Sequence, residues 1–292
     1  DLIYLDPPFS SKKDYNVLFK EEDRWSEAQI KAFEDSWHWT EATARTYLDL
    51  IRNGPPKVGK LVGALRDGLG ENDVMAYLVM MAIRLVELHR ALKPTGSLYL
   101  HCDPTASHYL KLVMDQIFGP RSFENEIIWY YRGAGLSPRR YARRHDTLLF
   151  YGKGQRTYFN PDEIRRPYAP ATIGRFSHYI GNVRGDRDYG PQSLHPLGKH
   201  PDDVWVDIQP IAPSAKARLG YPTQKPEALL ERIIRASSAV GDVVLDPFCG
   251  CGTAVVAAHK LNRRWIGIDI THLAITVMKE RLRDSFPGIE FE

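Results

Sequence analysis

The chain reads as an α/β protein built on a central, mostly parallel, doubly wound sheet, and three observations carry that reading. Residues 2–5 and 243–245 are apolar runs that each stop at an acid, Asp6 and Asp246, so a carboxylate sits at a strand's C-terminal edge, where open α/β sheets bind ligands. A glycine-rich segment, Phe248-Cys249-Gly250-Cys251-Gly252-Thr253, follows the second run and leads directly into an apolar helix over residues 254–261. Between these ends, helical and extended patterns alternate, as a doubly wound sheet requires.

Taken in order, residues 10–20 read as a polar loop beside the first strand, and residues 27–33 and 42–52 as helices. Trp37 and Trp39 between them fit a helix-packing cluster better than a base-stacking platform. Pro55 and Pro56 open a turn and a short amphipathic segment that runs to Gly70. The strongest helix spans residues 73–92, with Met75, Leu78, Val79, Ala82, Leu85 and Leu88 on one face and Lys93-Pro94 ending it. Residues 97–101 read as a buried strand and 106–118 as a helix. From 155 to 213 the helical periodicity fades while Gly, Pro, Tyr and His accumulate, which marks an irregular insert. Beyond it, Thr223 is placed as a helix N-cap and Pro226 in the first turn, followed by an apolar stripe of Ala228, Leu229, Ile233 and Ile234.

The two strand ends carry different chemistry. In Asp6-Pro7-Pro8-Phe9 the consecutive prolines fix the backbone and remove two N–H donors, leaving carbonyl oxygens to accept. An exocyclic amine on a base is a poor nucleophile because its lone pair is delocalised into the ring. Hydrogen bonds from that amine to the Asp6 carboxylate and the Pro7 carbonyl would favour a tetrahedral nitrogen able to attack a sulfonium methyl, with Phe9 stacked on the ring. Reaching such a pocket requires the base to leave its duplex. An ordinary rigid Pro-Pro-aromatic turn would give the same letters. The glycine segment fits a nucleoside cofactor, since Gly250 and Gly252 allow a sharp backbone turn, and the acid Asp269 after residues 264–268 falls where related folds hold both hydroxyls of a ribose. A tight turn with a solvated Asp is the alternative there.

Together, and in this order, these segments resemble the amino-group DNA methyltransferases that use S-adenosylmethionine, in the permuted β group whose catalytic tetrapeptide precedes the cofactor half. Asp6-Pro7-Pro8-Phe9 matches the catalytic motif, and residues 92–103, from Leu92-Lys93-Pro94 to His101-Cys102-Asp103, match the helix-turn-strand after it. Residues 123–129 and 145–151 match later strands of the catalytic half. Pro222-Thr223-Gln224-Lys225-Pro226 matches the segment leading into the cofactor half, and Phe248-Cys249-Gly250-Cys251-Gly252 matches the F-x-G-x-G motif. The resemblance implies a Rossmann-like S-adenosylmethionine-dependent methyltransferase fold with permuted motif order. It divides the chain into a catalytic half (1–154), a small irregular target-recognition insert (155–215) and a cofactor half (216–292). It also implies catalytic roles for Asp6, Pro7, Pro8 and Phe9. Contacts to S-adenosylmethionine fall to Asp246, Phe248, Cys249, Gly250, Gly252, Thr253 and Asp269, with Asp6 and Lys225 alongside.

Charge locates the DNA. Residues 129–188 hold twelve Lys and Arg against five acids, while the whole chain is only +3. Arg132, Arg139, Arg140, Arg143, Arg144, Arg165, Arg166 and Arg175, interleaved with tyrosines, make a surface suited to phosphates and base edges. Residues 133–140 read as a mobile loop that orders on phosphate. Three cysteines offer neither a disulfide framework nor a full zinc set, the histidines are too scattered for a metal, and there is no long apolar run for a membrane. A cytoplasmic bacterial or archaeal enzyme working on the nucleoid, a homodimer, and a further segment preceding Asp1 are expected.

An initial Asp in the tetrapeptide is commoner in adenine-N6 enzymes of this family and Ser in cytosine-N4 enzymes, so adenine N6 is the expected target and cytosine N4 the alternative. No cysteine lies in the first strand, which points to direct transfer without a covalent enzyme intermediate. A catalytically silent DNA-binding subunit would not need Asp6, Gly250, Gly252 and Asp269 together. An RNA or protein amide methyltransferase usually places its glycine loop first and begins its tetrapeptide with Asn.

Overall fold

The computed structural model describes residues 1–8, 13–21, 24–35, 37–133, 138–177, 181–184, 187–212, 214–215, 218–221 and 223–291, by backbone alone at 13–21, 24–35, 181–184, 188–189 and 191. The first half contains β1 (Leu2–Leu5), β2 (Lys13–Glu21), β3 (Arg24–Asp35), α1 (Glu41–Asn53), α2 (Pro56–Leu69), α3 (Asp73–Ala91), β4 (Ser97–Cys102), α4 (Ser107–Phe118), β5 (Phe123–Tyr130) and β6 (His145–Gly152). The second contains α5 (Pro170–Phe176), β7 (Gly181–Arg184), β8 (Arg187–Pro191), β9 (Val204–Trp205), α6 (Glu227–Ser237), β10 (Val243–Asp246), α7 (Thr253–Lys260), β11 (Arg264–Gly267) and α8 (His272–Ser285).

Seven strands form one sheet in the order β11-β10-β1-β4-β6-β5-β9. Only β6 runs against the others, because it pairs antiparallel with both β4 and β5 while every remaining pairing is parallel. β1 lies inside the sheet, third of the seven strands and buried on both faces, which explains why residues 2–5 form an unbroken apolar run rather than an alternating one. Helices α1 to α4 cover one face, where Ile3, Leu5, Leu98, Leu100 and Tyr151 meet Leu78, Leu85 and Leu110. On the other face, Leu2, Tyr4, Tyr99 and Phe150 pack beneath Leu229, Ile233 and Ala257 from α6 and α7.

Helix α3 occupies nearly the predicted range. Asn72 caps its start by accepting from the Met75 N–H at 3.0 Å, and all six predicted apolar positions are buried. Trp37 and Trp39 pack against this core as expected. Three local expectations fail. Residues 27–33, expected as a helix, lie within β3, and residues 13–20 of the expected loop lie within β2, the two strands forming an antiparallel hairpin. The Glu, Ala, Gln and Lys of residues 27–34 favour a helix locally, but cross-strand pairing with residues 13–21 supplies the ladder hydrogen bonds that override that preference. Thr223 is not the cap of α6: it is an exposed turn residue with φ of 60°, and the helix begins at Glu227 with Pro226 as its cap residue.

Residues 155–215 are joined to the sheet. β9 extends it beyond β5, and the Trp129 indole donates to the Ile208 carbonyl at 2.8 Å. Among the other described residues of this segment are a 3-10 turn at Asp162–Ile164, α5 and the antiparallel pair β7–β8. Among the described residues, no helix is long and apolar enough to cross a membrane.

Candidate active site

Parallel strands that share an edge line up whatever follows them. The order β11-β10-β1-β4 therefore sets Asp269, Asp246, Asp6 and Asp103, each at or just past a strand end, along one C-terminal edge of the sheet. Asp6 and Asp246, far apart in sequence, come to neighbouring strand ends through the parallel β1–β10 pairing, whose register Ile3↔Leu245 leaves Asp246 about two residues behind Asp6 along the edge.

Asp6 is half-buried and forms an ion pair with the Lys225 ammonium, whose side chain is only 11% exposed. Lys225 lies two residues before α6, and the left-handed turn at Thr223 redirects the chain ahead of it, an uncommon conformation for a β-branched residue. Pro7 is buried and Pro8 half-buried. Phe9 lies outside the described residues.

Asp246 is 4% exposed, and its carboxyl accepts the Phe248 N–H at 3.1 Å. Burial pushes its pKa up to about 8, the neighbouring Asp6 and Asp269 charges push the same way, and the Phe248 N–H and Lys225 oppose. Asp246 is therefore mostly protonated at neutral pH, able to donate as well as accept. Asp269 does something that the sequence did not reveal. Its Oδ2 accepts the Gly250 N–H at 2.9 Å, while Oδ1 accepts from the Thr271 N–H and hydroxyl, both at 2.9 Å, so it holds the glycine turn in place.

Both glycines have positive φ, 49° at Gly250 and 76° at Gly252. A Cβ at Gly252 would come within 2.4 Å of Met278, and one at Gly250 within 3.1 Å of the Tyr221 ring. The glycines thus let α8 and Tyr221 close onto the loop. Phe248 is half-buried, and Cys249 and Thr253 are buried. The Cys249 thiol is pushed up, chiefly by burial and then by the Asp246 and Asp269 charges, which keeps it protonated and unreactive.

Beneath Asp6 lies a polar network that no local sequence pattern announces. His101 is fully buried, with Nδ1 at 3.0 Å from the Tyr4 hydroxyl and Nε2 at 3.1 Å from Asp146. The Tyr131 hydroxyl donates to the other Asp146 oxygen at 3.1 Å. Asp146 stays below the usual carboxylate range: burial acts against this, but His101, Lys225 and the Tyr131 hydroxyl outweigh it. Tyr4 shares a strand face with Asp6 at i, i+2, the one signal that could have drawn it in.

The basic residues fall into two groups. Arg132, Arg139, Arg140, Arg143 and Arg175 are exposed, and Arg144 is half-buried. Arg165 is engaged with Asp162 at 2.6 Å and the Gly198 carbonyl at 3.0 Å, and Arg166 pairs with Asp207 at 3.0 Å. These last two side chains are engaged within residues 155–215. Among the described residues no cluster of three or more His, Cys, Asp or Glu is arranged to hold a metal.

Among the described residues, the acids at four adjacent strand tips, with Lys225 beside them, make a sheet edge of net negative charge. That donor set fits a cationic sulfonium with an amino group, with Lys225 placed for a carboxylate, and the Asp269-held glycine turn fits the backbone side of a nucleoside.

Comparison with known proteins shows the family. A family model described as DNA methylase matches residues 1–280. The type II methyltransferase M.HpaI of Haemophilus parainfluenzae is 36% identical over 245 residues, which is 83% of this chain and 70% of that protein. The DNA adenine methyltransferase YhdJ of Escherichia coli (strain K12) is 31% identical over 240 residues, covering 80% of this chain and 76% of that protein. Among solved structures, the cytosine-N4-specific PvuII DNA methyltransferase superimposes with a TM-score of 0.54 at 16% identity over 75% of this chain and 74% of that one, a likeness of fold.

Proposed function

Because the chain belongs to the DNA methylase family and is an S-adenosylmethionine-dependent DNA methyltransferase, we propose that it methylates the exocyclic N6 of an adenine flipped out of duplex DNA, with Asp6 as the catalytic carboxylate. The observation that carries this reading is the Asp6–Lys225 pair at the tip of β1, where the catalytic half meets the segment leading into the cofactor half.

When bound, S-adenosylmethionine supplies a methyl group on a positively charged sulfur. Asp6 has two oxygens. One pairs with Lys225, and the other accepts a hydrogen from the base amine, as does the Pro7 carbonyl. Both bonds draw the amine nitrogen toward tetrahedral geometry and direct its lone pair along the sheet edge. Phe9 stacks on the base. Lys225 holds one Asp6 oxygen and leaves the other to accept from the base. Asp246, Phe248, Cys249, Gly250, Gly252, Thr253 and Asp269 form the cofactor side, with protonated Asp246 offering a donor. Arg132, Arg139, Arg140, Arg143, Arg144 and Arg175 hold phosphates, and Arg165 and Arg166 do so by exchanging their present carboxylate partners. The Asp at the head of the tetrapeptide and the adenine-specific relative YhdJ both favour adenine over cytosine. A cytoplasmic homodimer completes the proposal, checked by sedimentation at two protein concentrations.

Incubation with labelled S-adenosylmethionine and unmethylated genomic DNA, then nucleoside digestion and mass analysis, tests the target. N6-methyladenine is expected. N4-methylcytosine would overturn the choice of base and leave the pocket chemistry standing.

A further inference from the structure

Arg281 is a charged residue with only 9% of its surface exposed, on α8, one turn beyond the Met278 that fills the space beside Gly252. Its guanidinium spans three elements. Nη1 donates to the Cys251 carbonyl at 3.2 Å and to the Thr253 hydroxyl at 3.1 Å, while Nη2 donates to Glu227 Oε1 at 2.9 Å. Burying a guanidinium is costly unless its donors are satisfied, and here the satisfying acceptors lie in the glycine loop and at the first residue of α6. Glu227 stands two residues after Lys225, the partner of Asp6. Glu227 in turn is held from its other oxygen by Lys260 at 3.5 Å.

We propose that Arg281 is a positioning residue: it sets the Cys251 peptide and the Thr253 hydroxyl for cofactor binding, and Glu227 orients it by gripping the far side of the guanidinium. This rests on the assignment of the 248–253 loop to S-adenosylmethionine. The geometry makes the role specific to arginine. A planar fork reaches the loop with one nitrogen and α6 with the other, whereas a lysine ammonium at the same place reaches one side only. A pure packing role would need no acceptors on two different elements.

Arg281→Lys is the test, read by calorimetric binding of S-adenosylmethionine, by steady-state kinetics and by hydrogen exchange of the ligand-free protein. The dissociation constant and the KM for S-adenosylmethionine should each rise about tenfold, with kcat at saturation and DNA affinity within about twofold, and the amides of residues 249–254 should exchange about tenfold faster. Unchanged cofactor affinity with unchanged loop exchange would overturn the proposal, as would a fall in kcat at constant KM. Should Arg281→Lys fail to melt cooperatively, Glu227→Gln replaces it, with a roughly threefold weaker cofactor affinity expected and an unchanged one fatal. Failure of the unaltered protein to bind S-adenosylmethionine would refute the cofactor assignment itself, whereas loop exchange would still decide whether Arg281 holds the loop.

Discussion

Replacing Asp246 by Asn should stabilise the protein, and increasingly so as pH rises. Asp246 is 4% exposed, and its folded pKa is pushed up to about 8 from an ordinary 3.8, first by burial and then by Asp6 and Asp269. In the unfolded chain the carboxyl ionises near its ordinary value, so above about pH 4 the unfolded state releases a proton that the folded state retains until pH approaches 8. Stability is therefore present in full below pH 4 and is lost through that window, at up to ~1.4 kcal/mol per pH unit. The upper bound at pH 7 is about 4 kcal/mol, and water entry and relaxation of the neighbouring carboxylates reduce it to roughly 2 kcal/mol. Asn has the shape of the protonated acid and keeps an oxygen for the Phe248 N–H. Urea unfolding of both proteins at pH 4, 6 and 8 is the assay. The curves should nearly coincide at pH 4, and the variant should gain about 2 kcal/mol by pH 8. A pH-independent difference, or a variant less stable at pH 8, would refute a protonated Asp246.

Three other outcomes follow from the same geometry. Asp269→Ala removes the acceptor for Gly250 and Thr271, so cofactor affinity measured by calorimetry should fall at least about tenfold, with a stability loss of about 1–3 kcal/mol; unchanged affinity would place the ribose elsewhere. Substituting Arg139, Arg140 and Arg143 together by Ala should weaken DNA binding and flatten the log Kd against log salt plot by roughly 2–3, about 0.9 for each phosphate no longer neutralised, and an unchanged slope would remove this loop from the DNA surface. Leu85→Ala, at a fully buried position on α3, should cost about 2–5 kcal/mol in urea unfolding without altering the cofactor KM.

What the sequence made legible follows from how local each signal is. β1, β10 and α3 announce themselves through apolar runs and a periodic face, and the alignment of Asp6 with Asp246 then follows from adjacent parallel strands. The β2–β3 hairpin was hidden because residues 27–34 carry helix-forming side chains, and only pairing with the preceding strand, residues 13–21, makes them extended. The start of α6 was misplaced because Thr223 looks like a cap, yet it occupies a left-handed turn that leads to Lys225. The polar network was illegible for a different reason: Tyr4 and His101 are 97 residues apart, and Glu227 and Arg281 are 54 apart. Nothing in either local pattern separates a buried, satisfied polar group from an exposed one. The exposed arginines were found from charge density alone, but the ion pairs of Arg165 and Arg166 needed the folded insert.

The central claim is that Asp6 at the tip of β1 is the carboxylate that activates the base. Single-turnover transfer to unmethylated DNA by Asp6→Ala, paired with calorimetric binding of S-adenosylmethionine to the same variant, tests it most directly. The account predicts no detectable methylated nucleoside, with cofactor affinity within about threefold of the unaltered protein. Transfer at an appreciable fraction of the normal rate would contradict it and move the chemistry away from this strand tip.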